Sequence, residues 1–115
     1  MADLRCKGSA RFVRFTPAMM RMLNVLYTQA KHVTDVDSIV ITSANDSLHM
    51  KDSRHYKDEA LDLRTHHFSS SQAVELFANE LRIAFSSAFT VLHEDKGGPN
   101  DHLHIQPKIG TVYAD

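Results

Sequence analysis

The run Asp95-Lys96-Gly97-Gly98-Pro99-Asn100 can continue neither a helix nor a strand, because it sets two glycines and a proline between turn-forming polar residues. Before it stands Phe89-Thr90-Val91-Leu92-His93, rich in β-branched and aromatic types, and after it stands His102-Leu103-His104-Ile105-Gln106, where apolar residues alternate. Two such runs across a turn predict an antiparallel hairpin, with Pro107 ending or edging its second strand. A lone hairpin is marginal in water. The rest of the chain must therefore supply strands to extend it and helices to cover it.

Two helices and two more strands fit that need. Thr16-Pro17 reads as an N-cap with proline at the first helical position. Met19, Met20, Leu23, Leu26, Tyr27 and Ala30 then recur at helical spacing, which predicts an amphipathic helix to about His32. Val33 to Asp37 is a polar connection, and the β-branched Ser38-Ile39-Val40-Ile41-Thr42-Ser43 reads as a buried strand. Ala44 to Arg54 lacks periodicity and reads as a loop. Ala60-Leu61-Asp62-Leu63-Arg64 is a second short strand, with Leu61 and Leu63 facing one way and Asp62 the other. Ser69-Ser70-Ser71-Gln72 offers several N-caps and a capping box, and Val74, Phe77, Ala78, Leu81, Ile83, Ala84 and Phe85 carry a second helix to about Ser86. Residues 1–15 read as a loosely docked arm or as an edge strand at Arg11-Phe12-Val13-Arg14-Phe15. The order is helix, two strands, helix, two strands. It predicts one α+β domain over residues 1–115, with two main helices and a small, mostly antiparallel sheet of about four strands.

Composition narrows the function. The formal net charge is −1, so no bulk field favours nucleic acid or a membrane surface, and neither is an expected partner. No apolar run reaches the length of a spanning helix, and Met1 to Arg14 lacks a signal-peptide core, so the expected location is cytoplasmic as synthesised. Cys6 is the only cysteine, which leaves no disulfide framework and no thiolate-rich zinc site; it is expected to be a small buried apolar residue. Any metal must then be held by His, Asp or Glu, and the chain has eight histidines.

Two stretches concentrate the relevant groups. Ser53-Arg54-His55-Tyr56-Lys57-Asp58-Glu59-Ala60-Leu61-Asp62 carries an imidazole in a loop and a carboxylate on a strand. Asp101-His102-Leu103-His104-Ile105 carries two more imidazoles, which share a face if the segment is a strand. Two imidazoles and one carboxylate, with a fourth position open, form the pattern of a catalytic zinc site. Asp62 needs a cation in any case, since an unpaired carboxylate in an apolar strand is costly; Arg64 and Lys57 are the rivals to a metal. His32, His49, His66, His67 and His93 read as surface or supporting residues.

Ser53, His55, Ala60 and Asp62, followed by a helix, a strand and the late His102-Leu103-His104, resemble the M15-type (LAS) zinc peptidases. That group includes D-Ala-D-Ala carboxypeptidases, L-alanyl-D-glutamate endolysins and the Hedgehog domain. The similarity spans residues 17 to 107 and implies a Hedgehog/DD-peptidase-like fold. It implies one Zn²⁺ per chain held by His55, Asp62 and His104, and a peptidoglycan stem peptide as substrate. The family pattern has glycine where this chain has Asp58. It often has an arginine after the first strand, where this chain reads Ser43-Ala44-Asn45-Asp46; Asn45, Lys51 or His49 would have to take over polarisation of the substrate.

Three residues are candidates for the general base: Asp101, at the spacing many relatives use and the favoured one; Glu94, at the end of the preceding strand; and His102, on the ligand face of its strand. His102 would position the water or stabilise the oxyanion, and His67 joins Asn45 and Lys51 as a candidate substrate contact. Action on the cell wall would follow release or incorporation into a virion. Two other functions compete with this one. A metal-stabilised binding module on the same fold would keep the zinc without turnover. The strand His102-Leu103-His104-Ile105 also looks like that of an HUH replication endonuclease, but only Tyr113 follows it as a nucleophile, and the chain lacks a basic surface.

Overall fold

The hairpin forms one side of a five-stranded sheet. A computed structural model describes residues 1–12, 15–44 and 60–108. Within these residues the order is β1 (Asp3–Cys6), α1 (Pro17–Ala30), β2 (Ser38–Ser43), β3 (Leu61–Arg64), α2 (Ser71–Phe85), β4 (Phe89–Glu94) and β5 (His102–Pro107). The strands lie in the order β1-β2-β3-β5-β4. β2 with β3, β3 with β5, and β4 with β5 are antiparallel, whereas β1 with β2 is parallel.

The sheet is thus mixed, with one strand more than expected. The extra strand is Asp3–Cys6, upstream of the Arg11–Phe15 stretch; Arg11, Phe12 and Phe15 lie outside any strand, and the Phe12 and Phe15 rings stack at 5.5 Å. β1 has four residues and charged side chains at Asp3 and Arg5, so it lacks an apolar signature and suits an edge. A parallel neighbour needs a long crossover, and α1 provides it. Bonds from Asp3 N–H to Asp37 O (2.9 Å) and from Lys7 N–H to Ile41 O (2.8 Å) hold the edge in place.

Both helices cover the same face of the sheet. Leu61, Leu63, Val91, Leu103 and Ile105 from the strands join Met19, Met22, Leu26, Phe77 and Leu81 from the helices in one buried core. The Thr16 hydroxyl accepts the Met19 N–H at 3.1 Å and starts α1; the Ser70 hydroxyl accepts the Ala73 N–H at 3.0 Å and starts α2. The buried arc of α1 is rotated from the expected one. Met22 and Val25 are inside, while Met20 and Tyr27 are exposed, the latter beneath Lys31 Nζ at 4.6 Å. Met19, Leu26 and Ala30 are buried as expected, and Ala18, Met22 and Val25 complete the buried face in place of Met20 and Tyr27. Ile83 of α2 is likewise exposed. Cys6 is exposed as well, because it lies on the edge strand rather than under the helices.

The β4–β5 turn is built around Asp95 and its glycines. Asp95 and Gly97 have positive φ (49° and 80°). Asp95 O accepts the Gly98 N–H at 2.8 Å, its Oδ2 accepts the Asn100 N–H at 2.7 Å, and a Cβ on Gly98 would collide with the Asp95 carboxylate. Among the described residues no helix is long and apolar enough to cross a membrane.

Candidate functional site

The face of the sheet away from the helices carries the titratable groups. β3 pairs with β5 so that Asp62 lies opposite His104 and Arg64 opposite His102; β4 pairs with β5 so that Glu94 lies opposite His102. Their strand neighbours Leu61, Leu63, Leu103 and Ile105 are buried in the core, so alternation sends Asp62, Arg64, His102 and His104 to the other side.

The resulting contacts are close. Asp62 Oδ1 is 2.9 Å from His104 Nδ1 and 3.8 Å from His102 Nε2. Glu94 Oε1 is 2.9 Å from His102 Nε2 and 3.9 Å from His104 Nδ1. His102 Nδ1 donates to the Asn100 carbonyl at 2.6 Å, which leaves Nε2 for Glu94. His104 is nearly buried, at 7% exposure, and its Nε2 lies 2.7 Å from Gln106 Oε1. Burial alone would lower the His104 pKa, but the bonds to Asp62 and Gln106 and the charges of Asp62 and Glu94 outweigh it and raise it.

The described residues bring together one imidazole nitrogen and one carboxylate oxygen at contact distance. With Nε2–H donated to Gln106, His104 Nδ1 faces a carboxylate oxygen, and the contact calls for a positive charge between the two atoms. A proton or a metal supplies it, and imidazole nitrogen and carboxylate oxygen are zinc donors. The Gln106 contact has the form of the outer bond that orients a ligating histidine. Among the described residues, no three His, Cys, Asp or Glu side chains form a complete metal-holding group. The third expected ligand, His55, lies outside the described residues, as do Asn45, Lys51, His49, Ser53, Lys57 and Asp58.

The two candidate bases differ in what surrounds them. Asp101 Oδ1 is 2.7 Å from His93 Nε2 and 2.5 Å from the Thr65 hydroxyl, and its Oδ2 accepts the Gly97 N–H at 2.8 Å. Burial would raise its carboxyl, but the bonds from Thr65, Gly97 and His93 prevail and hold it at about 2. Glu94 is half open to solvent on the site face, with His102 as its hydrogen-bond partner. Asp101 is tied into the turn by three partners, whereas Glu94 is held by His102 and faces solvent.

His67 Nε2 donates to Ser38 O at 2.7 Å, outside the site. The imidazole beside the site is that of His66, which lines an open cleft of about 410 Å³ with Lys7, Thr42, Asp62, Arg64 and His102. Arg64, expected only as a rival cation for Asp62, lines the cleft, and Gln106 and Lys7 join the site without having been expected there. For Gln106 the sequence carries a signal: it stands two residues after His104 on the same strand, and so on the same face. Lys7 had none, since its position follows from the parallel pairing of β1. Compared with protein-family models, curated proteins and solved structures, the chain matches none of them.

Proposed function

We propose that this chain is a zinc-dependent peptidase of the M15 type, acting on peptidoglycan stem peptides as a carboxypeptidase or an endolysin. The observation that carries the reading is the Asp62–His104 pair, 2.9 Å apart on facing strands, with Glu94 and His102 beside it. On this reading the five-stranded mixed sheet with its two helices is a Hedgehog/DD-peptidase-like architecture extended by β1. His104 and Asp62 would hold one Zn²⁺, with His55 as the third ligand that the M15 resemblance implies. When bound, the metal supplies Lewis acidity and an acidified water.

The chain's own residues do the rest. Glu94 takes the proton of the attacking water and passes it to the leaving amine. His102, bonded through Nδ1 to Asn100 O and through Nε2 to Glu94, positions that carboxylate beside the attacking water. Lys7, Arg64 and His66 line the adjoining cleft and orient a polar substrate there. Work on the cell wall follows release from the cell or incorporation into a virion.

The test is elemental analysis and wall-peptide hydrolysis with the wild type and His104→Ala, the fold being checked by circular dichroism. About one zinc per chain, lost in the folded variant together with hydrolysis, is the expected result. Zinc without cleavage of cell walls or D-amino-acid peptides would reject turnover in favour of a metal-stabilised binding module. A folded wild type that takes up no zinc would reject both.

A further inference from the structure

Behind the site face lies a second network that the proposed chemistry leaves unused. Glu94, His102 and Arg64 are successive cross-strand partners on the front of the sheet. Each has an immediate chain neighbour, respectively His93, Asp101 and Thr65, and Asp101 is bonded to both of the others. His93 Nε2 lies 2.7 Å from Asp101 Oδ1, and the Thr65 hydroxyl lies between Asp101 O (2.8 Å) and Oδ1 (2.5 Å). The other ring nitrogen of His93 lies 2.7 Å from Glu75 Oε2 on α2. The His93 side chain is only 4% exposed, so water does not substitute for either partner.

Each ring nitrogen of His93 has one carboxylate oxygen at hydrogen-bond distance. The groups that face the ring are Glu75 from α2 and Asp101 from the turn; Arg82 Nη1 (3.7 Å from Glu75 Oε1) and Lys96 act on Glu75 from outside. Two carboxylates face one buried imidazole, with two cations at the rim. Losing either bond to the ring would free one side of the clamp.

We propose that His93 is a positioning residue: bonded at once to Glu75 and Asp101, it anchors the β4–β5 turn to α2 and sets the spacing of Glu94 and His102 on the opposite face. Asp101 transmits this directly, since it precedes His102 and its Oδ2 holds the Gly97 N–H inside the turn. Thr65 extends the clamp to β3 just beyond Arg64. The anchoring stands on this geometry alone; its consequence for turnover rests on the peptidase reading.

The test begins with the wild type, by long-range proton–nitrogen correlation of the histidine rings in NMR. The expected result is a hydrogen bond at each ring nitrogen of His93. The Gly97 amide should be protected against exchange in the wild type and lose about tenfold or more of that protection in His93→Gln, with the α1 amides unaffected. His93→Gln cannot reach both carboxylates at once. In it, hydrolysis should lose about tenfold in kcat, with KM and zinc content unchanged. A His93 ring nitrogen without a hydrogen-bond partner would overturn the proposal, as would full Gly97 protection in His93→Gln. If the variant does not fold, the two wild-type measurements decide. If the wild type hydrolyses nothing, the peptidase reading fails while the Gly97 readout still tests the anchor.

Discussion

Asp62 Oδ1 and His104 Nδ1 stand 2.9 Å apart although 42 residues separate them in the chain. The β3–β5 register brings them together, and the inward-facing Leu61, Leu63, Leu103 and Ile105 maintain that register, because a one-residue slip would turn all four out of the core. The Gln106 contact on the far side of His104 yields the first prediction. Gln106→Leu should leave the fold intact and weaken zinc binding by about 10- to 100-fold, since the ring loses the partner that fixes its tautomer. Competition with a chromophoric chelator measures it; an unchanged affinity would reduce Gln106 to packing.

The surroundings of Glu94 and Asp101 predict opposite outcomes for two similar substitutions. Glu94→Gln removes an exposed carboxylate from the site face, so stability should move by less than about 0.5 kcal/mol, while kcat falls by about 10²- to 10⁴-fold with zinc retained. Asp101→Asn breaks a set of structural bonds and should cost on the order of 2 kcal/mol of stability, with a smaller loss of kcat. Denaturant unfolding beside steady-state kinetics separates the two. A stable Asp101→Asn protein with full zinc and no turnover would return the base to Asp101.

Much of the fold was legible because it is written in local chemistry. The turn at Gly97-Gly98-Pro99, the caps Thr16 and Ser70, and the alternation Leu61-Asp62-Leu63 each determine their element with few competing solutions. β1 was not legible, because its pairing is set by the crossover of α1 and not by its own side chains. The exchange of Met20 for Met22 on the buried face has a similar cause: both residues are apolar, and only the tertiary placement of the sheet chooses between them. At the site, the grouping of Asp62 with His104 could be read from strand period and motif order. The buried role of His93 could not, since its two partners come from a helix and a turn and share no sequence period with it.

The Asp101 carboxyl is held at about 2, below the ordinary 3.8, against the opposing effect of burial. A depressed folded value means that its contribution is fully present above the unfolded pKa and is lost as pH falls through 3.8 towards 2. Glu75 is also lowered, chiefly by its bond to His93, and adds to the same trend. Urea midpoints should therefore be flat from neutrality to about pH 5 and then drop. In Asp101→Asn the drop should be shallower. A parallel decline in both proteins would assign the acid sensitivity to other carboxylates.

Met20 and Met22 of α1 give the sharpest check on the packing. Met22 is fully buried between helix and sheet, so Met22→Ala removes apolar contacts and leaves a cavity, at a cost of about 2–5 kcal/mol. Met20 is about half exposed, at 51%. Met20→Ala should change stability by less than about 0.5 kcal/mol, and the higher helix propensity of alanine offsets part of any loss. Helical periodicity alone would have predicted a large effect at Met20. Equal losses at both positions would mean that α1 is rotated relative to the sheet; because β1 is tied to α1 through the Ala2 N–H bond to Ala30 O at 2.9 Å, the placement of the edge strand and of Lys7 beside the cleft would have to change with it.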